Sequence, residues 1–102
     1  MLHTLFGKRE EVNYKELVKD GAIIVDVRSR EEYSIDHVKG SVNIPLDILP
    51  VSLDKLGGKN RCIIACCASG NRSGITKNAL ESLGYTNVHN GGGWHSLQKK
   101  LS

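Results

Sequence analysis

Two short apolar runs rich in isoleucine and valine constrain this chain more than any other feature. They are AIIVDV at 22–27 and RCIIAC at 61–66. A strand with one wet face alternates apolar and polar residues. A continuous run of this length instead fits a strand covered on both faces, as in a parallel sheet. Parallel neighbours need crossover connections, and helical signals lie on either side of both runs. The pattern predicts an α/β domain with a largely parallel sheet.

The remaining elements are placed around these two strands. Asn13 is positioned to cap a helix over NYKELVKDG, with Glu16 as its capping-box partner. Tyr14, Leu17 and Val18 share one face of that helix, and Gly21 closes it. REEY (30–33) reads as a short helical turn, and GSVNIP (40–45) as a short strand stopped by Pro45. Between Leu46 and Asn60, Pro50 breaks the pattern, Gly57-Gly58 end it, and SLDKL is a short-helix candidate. A helix is predicted from about Arg72 to Leu83, with Ile75, Ala79, Leu80 and Leu83 as its apolar arc and Gly84 as its stop. TNVHN (86–90) is a strand, GGG (91–93) a turn, and WHSLQKKL (94–101) the last helix. At 102 residues the chain holds one domain, predicted over 12–102, with residues 1–11 as a flexible lead-in.

In such sheets ligands bind outside the carboxyl ends of the strands. CCASGNRS, residues 66–73, occupies that place: strand end, tight loop, helix start. Only the thiolate of a cysteine is a strong nucleophile, and an ordinary thiol ionises at about 8.5. A helix N-terminus lowers that value, because its unpaired N–H groups face the loop. Ala68, Ser69, Gly70 and Asn71 add further N–H groups on small residues that let the loop curl. The product is an anion cradle that favours the thiolate and binds an oxyanion beside it. Arg72 adds a fixed positive charge and Ser73 a hydroxyl. The plainer alternative is an ordinary strand-to-helix turn with an inert buried cysteine.

Composition removes several function classes. Fourteen Lys and Arg against eleven Asp and Glu give a net charge of +3, and the charges are interspersed. Only five aromatics are present, scattered along the chain, so no nucleic-acid footprint is predicted. No run of 18 apolar residues exists, so no membrane span is predicted. The segment from Met1 to Gly7 is too short for a signal-peptide apolar region, which points to a reducing cytoplasm. Cys62, Cys66 and Cys67 have no metal-ligand spacing, and no disulfide framework is predicted.

Three blocks occurring in order resemble the rhodanese-like family, specifically its small single-domain members. VDVR (25–28) with EEY (31–33) and DHVKGSVNIP (36–45) resembles the first signature block, CASGNRS (67–73) the active-site loop, and NGGG (90–93) the closing turn. The likeness runs from about Val12 to Leu97. It implies a three-layer α/β domain with a central parallel five-stranded sheet flanked by helices. The implied reaction is sulfur transfer through a Cys67 persulfide, from a small anionic donor such as thiosulfate to cyanide, a thiol or a protein acceptor. No cofactor and no metal are implied. Ala68, Ser69, Gly70, Asn71, Arg72 and Ser73 become the substrate-binding cradle.

The two adjacent cysteines leave a choice. Cys67 to Arg72 is C-x4-R, the loop length that the resemblance assigns to sulfurtransferases. Cys66 to Arg72 is C-x5-R followed by Ser73, which resembles the loop of phosphatases and arsenate reductases on the same fold. Strand alternation lets only one of the pair face the cradle. SGNRS favours Cys67 and makes Cys66 the last strand residue, a packing side chain with a resolving role as the alternative. A phosphatase also needs a general acid, and nothing in the sequence places Asp36 or Asp47 near the loop. A non-enzymatic interaction or sulfur-relay module is the remaining alternative, and the presence of Cys67 counts against the first of these.

Asp26 and Arg28 end a buried strand beside the expected site and read first as a structural ion pair, second as a source of positive potential. His37 is expected to hydrogen-bond within the fold. His89 and His95 are expected to be partly exposed, Trp94 to anchor the last helix, and Cys62 to be a small buried hydrophobe.

Overall fold

The structure, a computed structural model, describes residues 11–102. The predicted lead-in therefore lies, except for Glu11, outside the described residues. Element order is α1 (Tyr14–Lys19), β1 (Ile23–Asp26), α2 (Arg30–Ile35), β2 (Val42–Asn43), two 3-10 helices (Leu46–Val51 and Leu53–Leu56), β3 (Ile63–Cys67), α3 (Asn71–Ser82), β4 (Val88–Gly93) and α4 (Trp94–Leu101). Every strand pair is parallel and the order is β2-β1-β3-β4. The two apolar runs become the two central strands, paired from Ile23 with Ile63 to Asp26 with Cys66.

Four strands form among the described residues, where the family resemblance implies five. The chain's own hydrophobic pattern holds only four strand-like runs. Ahead of β1 the backbone is taken up by α1, which Asn13 caps by accepting the Glu16 N–H at 3.1 Å. Val18, expected on the inner face of α1, is exposed; Tyr14 and Leu17 do the packing.

Strand alternation divides the core. Val25, Val27, Ile63, Cys67 and Val88 face one side, where Leu80 of α3 and Leu49 and Leu56 of the 3-10 helices cover them. Ile24, Ile64 and Cys66 face the other side, covered by Leu97 of α4 with Tyr14, Leu17 and Trp94 around it. Each fully buried Leu or Ile contributes about 1.5–3 kcal/mol. Three layers result, with the sheet in the middle.

The strand order reverses between β1 and β3, which opens a crevice at their carboxyl ends. β2 shrinks from the six predicted residues to two, because Pro45 offers no N–H to the ladder. The chain still follows β1: the Ile44 and Leu46 N–H groups donate to the carbonyls of Asp26 and Val27. Among the described residues no helix is long and apolar enough to cross a membrane.

Candidate active site

β3 runs one residue further than the sequence suggests, so Cys67 rather than Cys66 is its last residue. Cys67 pairs with Gly93 and Ala65 with Asn90, so β4 advances three residues while β3 advances two. This bulge turns the predicted GGG turn into the end of a strand. Gly93 is needed there for close approach. A Cβ on it would stand 2.7 Å from the Ala68 carbonyl oxygen, inside any normal contact. The loop after Cys67 thus lies directly on the backbone of β4.

The loop then turns through Gly70, whose φ of +99° falls in the left-handed region that side chains disfavour. Gly70 is the N-cap of α3 and carries no side chain to bond the helix's open N–H groups. The sulfur of Cys67 takes that place. It accepts from Gly70 N–H at 3.0 Å and from Ser73 N–H at 3.4 Å, and Ser73 Oγ lies 3.4 Å away. Burial pushes the Cys67 thiol up, but the Ser73 hydroxyl and the N–H groups of Ser73, Ser69 and Gly70 outweigh it. The net direction is below the ordinary thiol value. Only 1% of Cys67 is exposed, so its sulfur forms the floor of the loop. Ala68, Ser69 and Asn71 are exposed at the rim, and of their amides only that of Ser69 acts on the sulfur.

Cys66 is a contrast. It is fully buried on the opposite face, among Ile24, Val38, Ile64 and Leu97. Burial and the nearby Asp26 push its thiol up to about 12. All three cysteines are free. Cys62, expected in mid-strand, sits just ahead of β3 and is only half-buried.

Arg72 does not reach the sulfur. Its Nη1 and Nη2 donate to the two carboxylate oxygens of Glu32 at 2.7 and 3.0 Å. Glu32 also closes a capping box with Ser29 at the start of α2. The bond from Arg72, then the Ser29 N–H, hold the Glu32 carboxyl at about 2. Glu32 is thus a site residue that the sequence did not single out. Its signal was present as Ser29-x-x-Glu32, the capping-box spacing. Arg72 lines an open groove of about 360 Å³ with Val27, Ser29, Pro45, Leu46 and Asp47. Asp47, which the sequence could not place, therefore faces the same groove as Arg72.

Asp26 and Arg28 are drawn away from the cradle. Val25 and Val27 face the Cys67 side, so Asp26 points to the Cys66 side. Arg28 is 5% exposed and donates from Nε and Nη2 to Asp26, from Nη2 to the Asp36 carbonyl at 2.7 Å, and lies over the Trp94 ring. The pair braces β1 against α4. Trp94 is partly buried against this brace, while Leu97 is the true anchor of α4. His37 donates its Nδ1–H to the Tyr33 carbonyl and stacks on the Tyr33 ring, within the fold as expected. His89 is partly exposed and His95 exposed.

Asn90 is the second residue the sequence passed over, as part of a turn. Its side chain accepts from Ser73 Oγ–H at 2.6 Å and from Gly92 N–H at 2.9 Å, and donates to the Gly70 carbonyl at 3.2 Å. It ties β4, the loop and the first turn of α3 together.

The comparisons with known proteins agree with this architecture. The family model of the rhodanese-like domain matches residues 11–100. The chain belongs to the rhodanese-like family. It is 39% identical over 70 residues to thiosulfate sulfurtransferase PspE of Escherichia coli, covering 68% of this chain and 67% of that protein. It is 38% identical over 89 residues to the adenylyltransferase and sulfurtransferase uba4 of Ogataea parapolymorpha; 85% of this rhodanese-like chain is covered, but only 23% of that longer protein. Among solved structures, a rhodanese with anions from E. coli superposes with a TM-score of 0.71 at 35% identity, covering 74% of this chain and 91% of that one.

Proposed function

We propose that this protein is a thiosulfate:cyanide-type sulfurtransferase that carries sulfur as a Cys67 persulfide. The single observation behind the assignment is the convergence of the Gly70 and Ser73 N–H groups on the Cys67 sulfur. In the first half-reaction the Cys67 thiolate attacks the sulfane sulfur of a small anionic donor such as thiosulfate. A new S–S bond forms, the donor's S–S bond breaks, and sulfite leaves with the electron pair. In the second, an acceptor nucleophile (cyanide, a thiol, or a thiol on a protein) attacks the outer sulfur, and the Cys67 thiolate leaves. No net proton or electron is consumed with thiosulfate and cyanide.

The cradle from Ala68 to Ser73 binds the anions of both steps. Amides at the rim meet the donor's oxyanion and the outer persulfide sulfur, while those of Gly70 and Ser73 hold the inner sulfur. Arg72, committed to Glu32, contributes rigidity and a softened positive potential at the groove. Asp26 and Arg28 support the site by fixing the end of β1. A reducing, cytoplasmic setting keeps Cys67 available as a thiol.

Steady-state kinetics with thiosulfate and cyanide test the assignment. Parallel lines in double-reciprocal plots and loss of turnover in Cys67→Ser are the expected result. Intersecting lines, or turnover surviving in Cys67→Ser, contradict it. Because the Cys67 thiol is lowered, activity with thiosulfate should hold at pH values where an ordinary thiol is protonated, and fall as pH drops through the lowered value.

A further inference from the structure

Ser73 has one hydroxyl proton and two neighbours that compete for it. Asn90 Oδ1 lies 2.6 Å away and Cys67 Sγ 3.4 Å away. Ser73 is fully buried, so water does not mediate between them. The Asn90 amide is fixed from both ends: its nitrogen donates to the Gly70 carbonyl and its oxygen accepts the Gly92 N–H. The oxygen end is therefore the end that faces Ser73. With the proton on the short bond to Asn90, a lone pair of Ser73 faces the sulfur. A Cys67 thiol suits that arrangement, because its S–H donates to Ser73. A thiolate does not, until the Ser73 hydroxyl turns from Asn90 to the sulfur.

We propose that Asn90 is a positioning residue that sets the thiol–thiolate balance of Cys67 by holding the Ser73 hydroxyl proton, which rotates onto the sulfur when the sulfur becomes anionic. No proton passes between heavy atoms; only the O–H bond turns. Asn90 is exposed and its Oδ1 keeps the Gly92 N–H when the Ser73 hydroxyl turns away, so the turn strands no buried acceptor. The charged and titratable groups facing Cys67 and Asn90 are Arg72 of α3 with its Glu32 partner from α2, Cys66 on the strand of Cys67, and Tyr14 of α1, whose hydroxyl donates to the Asn90 backbone carbonyl at 3.2 Å. None of these bonds the Ser73 or Asn90 side chains, so Asn90 reaches the sulfur through the Ser73 hydroxyl and through its brace on Gly70, two routes that a Ser73→Ala background separates. The inference rests on the sulfur-transfer reading and deepens it by naming what sets the acid–base state of its nucleophile, which is measured without any sulfur donor.

The test is the pH dependence of Cys67 alkylation by iodoacetamide, followed on the 62–72 peptide by mass spectrometry. Asn90→Ala frees the Ser73 hydroxyl for the sulfur, so the midpoint should fall by about half a pH unit, roughly a threefold gain in thiolate on the acid side. In a Ser73→Ala background, Asn90→Ala should leave the midpoint unmoved. A merely structural role predicts the opposite sign, because a disordered loop withdraws the Gly70 and Ser73 N–H groups and raises the midpoint. A midpoint that rises or stays in Asn90→Ala overturns the proposal. If Asn90→Ala does not fold, Asn90→Asp serves, since its carboxylate holds the hydroxyl proton more tightly. Its midpoint should rise further with Ser73 present than in Ser73→Ala, and an equal rise in both overturns the proposal.

Discussion

Cys66 and Cys67 are neighbours in the chain and opposites in chemistry. One lies in an apolar layer under α4, its thiol pushed up to about 12; the other lies under the N-terminus of α3, its thiol lowered. Both expose almost no surface, and burial raises both thiols; what turns the direction at Cys67 is the supply of hydrogen-bond donors. On the Cys67 side a glycine cap leaves the helix amides free for sulfur. On the Cys66 side the charged groups, Asp26 and Arg28, are spent on each other. A one-residue step along a strand, which sends a side chain through the sheet, is enough to separate a nucleophile from a packing residue.

The largest effect should come from breaking the Cys66 side. Asp26→Ala leaves Arg28 buried without its carboxylate, which costs about 3–5 kcal/mol. The urea midpoint should fall accordingly, while the Cys67 alkylation midpoint of the folded fraction stays put. A large shift in Cys67 would mean that the two faces are coupled. Next is Gly93→Ala, whose Cβ meets the Ala68 carbonyl at 2.7 Å. Relief requires moving the loop, at about 1–3 kcal/mol, and alkylation of Cys67 should slow as its N–H donors shift. Unchanged alkylation would show that the loop does not depend on its seat on β4. Cys66→Ala removes one buried sulfur, for about 1 kcal/mol, visible in urea unfolding but not in sulfur loading.

The smallest effect belongs to Glu32→Gln. The Arg72–Glu32 pair is over one-third exposed on each side, so solvent screens it to less than about 1 kcal/mol. Its folded carboxyl is lowered from 4.5 to about 2. The contribution is therefore present above the ordinary value and is lost as pH falls from about 4.5 through about 2. Acid unfolding curves of wild type and Glu32→Gln should converge at the bottom of that window. Curves that stay apart there would assign Glu32's role to its shape rather than its charge.

The elements carried by apolar patterning were legible in the sequence. The two isoleucine-rich runs became the central strands, and α4 spans the eight residues predicted for it. α3 was found, but of its predicted apolar arc only Leu80 is buried. Ile75 is 56% and Leu83 48% exposed, while Ser73, Thr76 and Leu80 are buried. The inner face begins with Ser73, which is polar where it meets the sulfur. Ser73 bonds Asn90, and Thr76 satisfies its own hydroxyl on the Arg72 carbonyl at 2.9 Å. Hydrophobic periodicity does not register a face buried for its hydroxyls. The same limit hid Asn90 and Gly93. A glycine run reads as a turn, and only the pairing of β4 with β3 reveals it as a bulge pressed onto the loop. The pairing of Arg72 with Glu32 crosses 40 residues, and the sequence offered Arg72 only to the cradle.

The most direct measurement is intact mass after thiosulfate treatment of wild type, Cys66→Ala and Cys67→Ser, followed by removal of free donor. Wild type and Cys66→Ala should each gain one sulfur atom, cleared by cyanide, and Cys67→Ser should gain none. A sulfur retained by Cys67→Ser, or lost in Cys66→Ala while Cys67 remains, would contradict the assignment of Cys67 as the carrier.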